Sequence, residues 1–244
     1  MNLVASLGTS RADCTTGPQP TQHCVNNPSQ ACSSDADCAG FLGACAFDPT
    51  CFFGPPVPVS GFPTTCVVNS FATDGSGTLD LLTGESSVSI NLASRVFLTL
   101  GQPTPCPQCL GGTCSYGENA GQACTTTNVN QTSLDCMPGA GSFVATLPVN
   151  LTPLSTGTAT QTAADGIFCP GQINAGAFGQ TTTEGIQQTG SPAGDGSDGL
   201  PHPSTLVSIF CIPATGNLSV DGIADLPGPG SISLPGEAQF TVVP

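Results

Sequence analysis

The sequence predicts an all-β fold, a β-sandwich or jelly-roll core carrying disulfide-rich, loop-rich insertions. Three observations carry this reading. Among 244 residues there are 31 glycines and 23 prolines, too many helix breakers for a helical domain. Apolar and β-branched residues recur in short segments bounded by turn residues, the pattern of half-buried strands. Fourteen cysteines, an even number, are spread over most of the chain, which suits a disulfide framework made in an oxidising space.

Five segments follow in order. Residues 1–13 form an N-terminal arm in which Leu3, Ala5 and Leu7 alternate with Asn2, Val4 and Ser6, as a short strand would. The apolar run Leu3-Val4-Ala5-Ser6-Leu7 is too short for a signal-peptide core and no basic region precedes it. The export signal such a chain needs is therefore expected to have been removed or to lie upstream. Residues 14–66 are a cysteine-rich segment with Cys14, Cys24, Cys32, Cys38, Cys45, Cys51 and Cys66.

Residues 67–105 form a strand block with expected strands at Val67–Phe71, Thr78–Leu82, Ser86–Leu92 and Arg95–Leu100, separated by turn signals such as Asp74-Gly75 and Thr83-Gly84. Val88, Ile90 and Leu92 alternate with serine and asparagine and face a core. Residues 106–139 are a second cysteine-rich segment, with Cys106, Cys109, Cys114, Cys124 and Cys136. Residues 140–244 form the last strand block, with Cys169 and Cys211. Its expected strands are Ser142–Thr146, Leu151–Leu154, Thr156–Thr162, Ile167–Cys169, Leu206–Ile212, Asn217–Val220, Gly230–Leu234 and Ala238–Val243, the last including Phe240 and Val242. The polar, Gly-rich stretch 176–203 reads as a long surface loop.

The cysteines allow seven bridges, and sequence leaves their pairing open. Cys106-Pro-Gln-Cys109 has the spacing of half a zinc site. No second such pair and no suitably placed histidine completes it, so disulfides are expected, with no metal and no cofactor. The phrase Pro28-Ser29-Gln30-Ala31-Cys32-Ser33-Ser34-Asp35-Ala36-Asp37-Cys38 is echoed by Ala120-Gly121-Gln122-Ala123-Cys124-Thr125 and Leu134-Asp135-Cys136, an internal repeat. It resembles the short cysteine-rich repeats of secreted bacterial surface proteins, in which a Gly-rich tail such as Phe41-Leu42-Gly43-Ala44-Cys45 follows. The resemblance covers about a tenth of the chain and implies extracellular, disulfide-held modules without implying an activity.

Signals of chemistry are sparse. Asp74, Ser76, Thr78, Asp80 and Glu85 have the oxygen-ligand spacing of a calcium loop, yet Leu79 stands where the turn needs glycine and strands flank it. An ordinary turn is expected there, and a solvated loop at Asp195-Gly196-Ser197-Asp198-Gly199. The histidines are His23, beside a cysteine, and His202, between two prolines. Neither lies near a Gly-x-Ser-x-Gly elbow. With no Trp and the single Tyr116, the chain also lacks the aromatic platforms expected of a carboxylate-pair glycosidase, so no enzyme is expected. Asn130, Asn150 and Asn217 begin Asn-x-Ser/Thr triplets, read as chance matches in a Ser/Thr-rich chain.

Charge narrows the function. Only 7% of residues are charged, the net charge is −14, and Arg11 and Arg95 are the sole Lys or Arg residues. Such a chain cannot neutralise phosphates or hold an anionic membrane, and no run approaches the length of a membrane-spanning helix. Soluble monomers carry about 25% charged residues; a neutral Ser/Thr/Gly/Pro surface packs into a lattice without burying unpaired charges. The expectation is a structural subunit of an extracellular filament, sheath or surface layer. It would form a homo-polymer through the chain ends, with Leu3, Ala5, Leu7, Phe240 and Val242 at the contact. The alternative is a secreted ligand-binding or adhesion module using the 176–203 loop.

Overall fold

The computed structural model describes residues 2–6, 23–24, 27–31, 34, 36–37, 45–46, 52–59, 63–72, 76–126, 128–162, 168–173 and 185–241. The fold is all-β. The strands are β1 (Asn2–Ser6), β2 (His23–Cys24), β3 (Asn27–Ala31), β4 (Cys45–Ala46), β5 (Val57–Val59), β6 (Thr65–Phe71), β7 (Ser76–Leu79) and β8 (Ser86–Leu98). They continue with β9 (Cys109–Leu110), β10 (Thr113–Cys114), β11 (Phe143–Ser155), β12 (Thr158–Thr162), β13 (Gly185–Thr189), β14 (His202–Ile212) and β15 (Gly228–Thr241), and a short α-helix, α1 (Leu218–Ala224), precedes β15. An eight-stranded sheet has the order β1-β15-β14-β11-β8-β6-β5, with β7 paired to β8. The pairs β9–β10 and β12–β13 form small sheets, and β2, β3 and β4 a third.

The chain divides into two compact units: a strand unit (1–12, 71–94, 146–244) and a cysteine unit (13–70, 95–145). The division falls within β6, β8 and β11, and the whole second cysteine-rich segment belongs to the cysteine unit. In the strand unit, Leu206 and Val207 are consecutive on β14, so they face opposite sides, and both are buried. The sheet is therefore covered on both faces there. The hairpin β12–β13 packs on β14 and β15, and the Gln188 amide donates to Ser231 Oγ on β15 at 3.1 Å. In the cysteine unit, Phe52, Cys66, Val68, Phe97, Cys106 and Met137 form one buried cluster.

Several expected elements differ from the observed ones. Segments read as separate strands fuse into the long β8, β11 and β15. In β15 the turn signal Pro235-Gly236 does not break pairing, because Pro235 opposes Thr205, whose N–H and C=O bond Ser191 instead. No ladder donor is lost at the proline. The strand expected at Asn217–Val220 is the start of α1. The Asn217 side chain accepts from the Ser219 and Val220 N–H groups, and this cap outweighs a two-residue alternation. Phe168 and Cys169 lie in a turn, their N–H groups donating to Gln172 Oε1, with Ile167 outside the described residues.

The strand expected to reach Leu82 ends at Leu79, because Asp80 Oδ1 accepts from Leu82 N and Thr83 N and turns the chain. The 176–203 stretch is not a plain loop. It contains β13, a 3-10 turn at Gly196–Asp198 and the first residues of β14, with 176–184 outside the described residues. The N-terminal arm is not free either. β1 pairs antiparallel with β15 of its own chain, with Leu3 opposite Phe240 and Ala5 opposite Ala238.

Candidate functional site

The cysteines build most of the cysteine unit. Cys66 bonds Cys106, Cys109 bonds Cys124 and Cys114 bonds Cys136, while Cys169 bonds Cys211 in the strand unit. Among the described residues no cysteine is free. Cys24 and Cys45 face each other across β2 and β4, while Cys14, Cys32, Cys38 and Cys51 lie outside the described residues.

Cys106 and Cys109 are both in disulfides, as expected, and are split between two bridges. The sulfurs of Cys109, Cys124 and Cys136 lie within 4.8 Å of one another, the closeness of a metal site. Each is spent in a disulfide, so none is a thiolate that could ligate.

The internal repeat has a structural counterpart. The Asp before the second cysteine caps the backbone just after the first: Ser34 N donates to Asp37 Oδ2 at 3.0 Å, and Thr125 N to Asp135 Oδ2 at 2.9 Å. Asp135 also accepts from the Thr125 and Ser133 hydroxyls. This capping explains why Asp precedes cysteine in both phrases. It is structural work that leaves no free acid.

Arg95 lies on a strand, β8, as expected, but its strand position does not reveal the role of its side chain. Its guanidinium is buried 5.4 Å from the Phe97 ring centre and 5.6 Å from that of Phe143, a cation–π arrangement. Burial pulls its pKa down to about 10, opposed by the nearby Glu118 carboxylate. Glu118 itself accepts from Ala140 N at 2.8 Å. Tyr116 donates its hydroxyl to the Thr104 carbonyl at 2.6 Å. Burial raises its pKa, against hydrogen bonds with Thr99 and Thr104 that lower it.

The acidic loops resolve into turns. Asp80 is used by its own turn, with Asp74 outside the described residues. Asp195 caps the 3-10 turn by accepting from Ser197 N at 2.9 Å, and its pKa is lowered by the Ser197 side chain first and by this backbone bond second. Asp198 accepts from Leu200 N at 2.8 Å and lies 2.9 Å from His202 Nε2. The bond to His202, then that from Leu200, lowers its pKa. His202 opens β14 rather than sitting in a loop, and its Nε2 is occupied by this carboxylate. Of the triplet asparagines, Asn130 and Asn150 are exposed, while Asn217 caps α1.

Two surfaces remain. The first is the outer edge of β1, which ends the strand order and pairs with no further strand among the described residues. Leu7 and Val242, also expected at an assembly contact, lie outside those residues. The second is a cavity of about 110 Å³ in the strand unit. Its floor is Ile90, Leu154, Leu206 and Ala238, all buried, and its mouth is formed by the half-buried Leu79, Ser86, Val88 and Ser204 with the exposed Glu237 at the rim.

Comparison with protein-family models, curated proteins and solved structures finds no match for this chain. The fold and sites thus define a class only: a disulfide-stapled, all-β protein of an oxidising compartment. No helix among the described residues is long and apolar enough to cross a membrane.

Proposed function

We propose that this chain is an extracellular structural subunit, polymerising into a filament, sheath or surface layer. The observation that carries the proposal is the edge strand β1, Asn2–Ser6, which holds no charge and no proline. Natural sheets protect open edges with such residues, as the opposite edge strand β5 does with Pro58. An unprotected edge favours strand addition by another copy. The neutrality of β1 supports this, since copies that each carry −14 approach most easily through neutral surface. Disulfides secure the subunit outside the cell.

A catalytic role is not part of the proposal, because Asp198 occupies His202 and the acids near it serve turns. Negative-stain imaging and size exclusion of the native protein test the reading. Polymers are expected, and they should be lost on deleting residues 1–7 while the disulfide-stapled body stays folded. A native protein that is monomeric at high concentration overturns the proposal in favour of a secreted binding module. Normal polymers from the truncated chain overturn the role of β1.

A further inference from the structure

We infer that the cavity of the strand unit is a socket for Val129 of a second copy, a knob-into-hole contact between subunits. The inference rests on the polymer proposed above and names a contact separate from β1. Val129 is the most exposed large hydrophobic residue among those described, at 97%. It is held out rigidly. Asn128 Oδ1 accepts from the N–H groups of Asn130 and Thr132, and the Asn128 amide nitrogen donates to the Thr132 carbonyl. Gln108 Nε2 donates to the Asn130 carbonyl at 2.9 Å, and Cys109 N to the Gln131 carbonyl at 2.7 Å. These bonds pin the turn to the disulfide-stapled module. A side chain presented this way loses little conformational freedom on docking.

Leu82, Ile173 and Leu218 are also strongly exposed, though none as fully as Val129.

The socket fits in size and polarity. A dry apolar cavity of about 150 Å³ takes a six-carbon ring, so a three-carbon valine side chain needs about half of that. The 110 Å³ available accommodates it. Apolar Ile90, Leu154, Leu206 and Ala238 line the floor, Ser86 and Ser204 at the mouth are neutral, and the exposed Glu237 carboxylate stands at the rim. Around Val129 stand Asn128, Asn130 and Gln131, neutral residues whose side-chain amides can face that carboxylate without charge repulsion. A knob and a socket on different surfaces make a heterologous contact, which propagates into open chains when the rotation does not close.

The test is the critical concentration for polymerisation, measured by sedimentation, in Val129→Ser and in Val88→Phe, which narrows the socket at its mouth. Val129→Ser leaves the exposed turn foldable, and far-UV circular dichroism and thiol counting verify the fold of both variants. Each is expected to raise the critical concentration tenfold or more, with Val129→Leu close to the native protein. Native-like polymerisation of Val129→Ser overturns this inference alone and leaves the polymer reading standing. Absence of polymers in the native protein overturns both.

Discussion

Removing the Cys66–Cys106 bridge should destabilise the cysteine unit more than removing any other described bridge in it. Its ends are separated by 40 residues, and no cysteine lies between them, so no other disulfide can cross or share that loop. Loop-closure entropy alone is then worth about 4 kcal/mol. Both sulfurs are buried with Phe52, Val68, Phe97 and Met137, and trimming each to alanine costs about 1 kcal/mol more. The sum, about 6 kcal/mol, is comparable to the whole stability of a typical domain.

Cys109–Cys124 spans 15 residues and would stand alone at about 3 kcal/mol. It interlocks with Cys114–Cys136, however, so its removal leaves much of the same chain closed and costs less. The assay is guanidinium unfolding of non-reduced protein followed by Tyr116 emission. With no Trp and a single Tyr in the chain, that signal reports on the cysteine unit alone. The double variant Cys66→Ala/Cys106→Ala should unfold at much lower denaturant and with a steeper m-value, because its unfolded chain expands. If it loses no more free energy than Cys109→Ala/Cys124→Ala, the loop argument is wrong.

Two further outcomes follow from single side chains. Ser208 Oγ is fully buried with no hydrogen-bond partner, so Ser208→Ala should be neutral or stabilising by about 1 kcal/mol, and a thermal melt showing clear destabilisation refutes this. Asp198 has a folded pKa below its unfolded value. Its contribution is therefore present above the unfolded pKa of about 3.9 and is lost as pH falls through the lower folded value. The hydrogen-exchange protection factor of the Leu200 amide, which donates to Asp198, should hold at pH 5 and drop below about pH 4; unchanged protection at pH 2 contradicts the assignment.

Much of the fold was legible because strand signals are local. Val88, Ile90 and Leu92 alternate in the sequence, and the structure puts Ile90 and Leu92 in the core with Val88 at the cavity mouth. The lengths of β11 and β15 were not legible, because Pro148, Pro235 and Gly236 read as stops until the direction of each hydrogen bond is known, and in β8 the break expected at Ala93-Ser94 is paired through. The helix α1 has its signal in Asn217, an N-cap residue, but Leu218 and Val220 alternate over the same residues as a strand would. Arg95 carried no sequence mark at all, since its burial depends on Phe143, which is far away in the chain.

The sequence by itself determined the all-β class and the oxidising setting, since residue alternation and cysteine count need no partner to be read. The repeat of Asp before cysteine was visible as well, and its capping role follows from residues close in the chain. Tertiary structure decided the disulfide pairing it describes, the return of β1 onto β15, the socket and the burial of Arg95. Each depends on bringing distant residues together, as when Cys66 and Cys106 come within 4.9 Å between Cα atoms. Local pattern is blind to such approaches, because they are settled by which arrangement of the whole chain buries its apolar faces and satisfies its backbone donors at once.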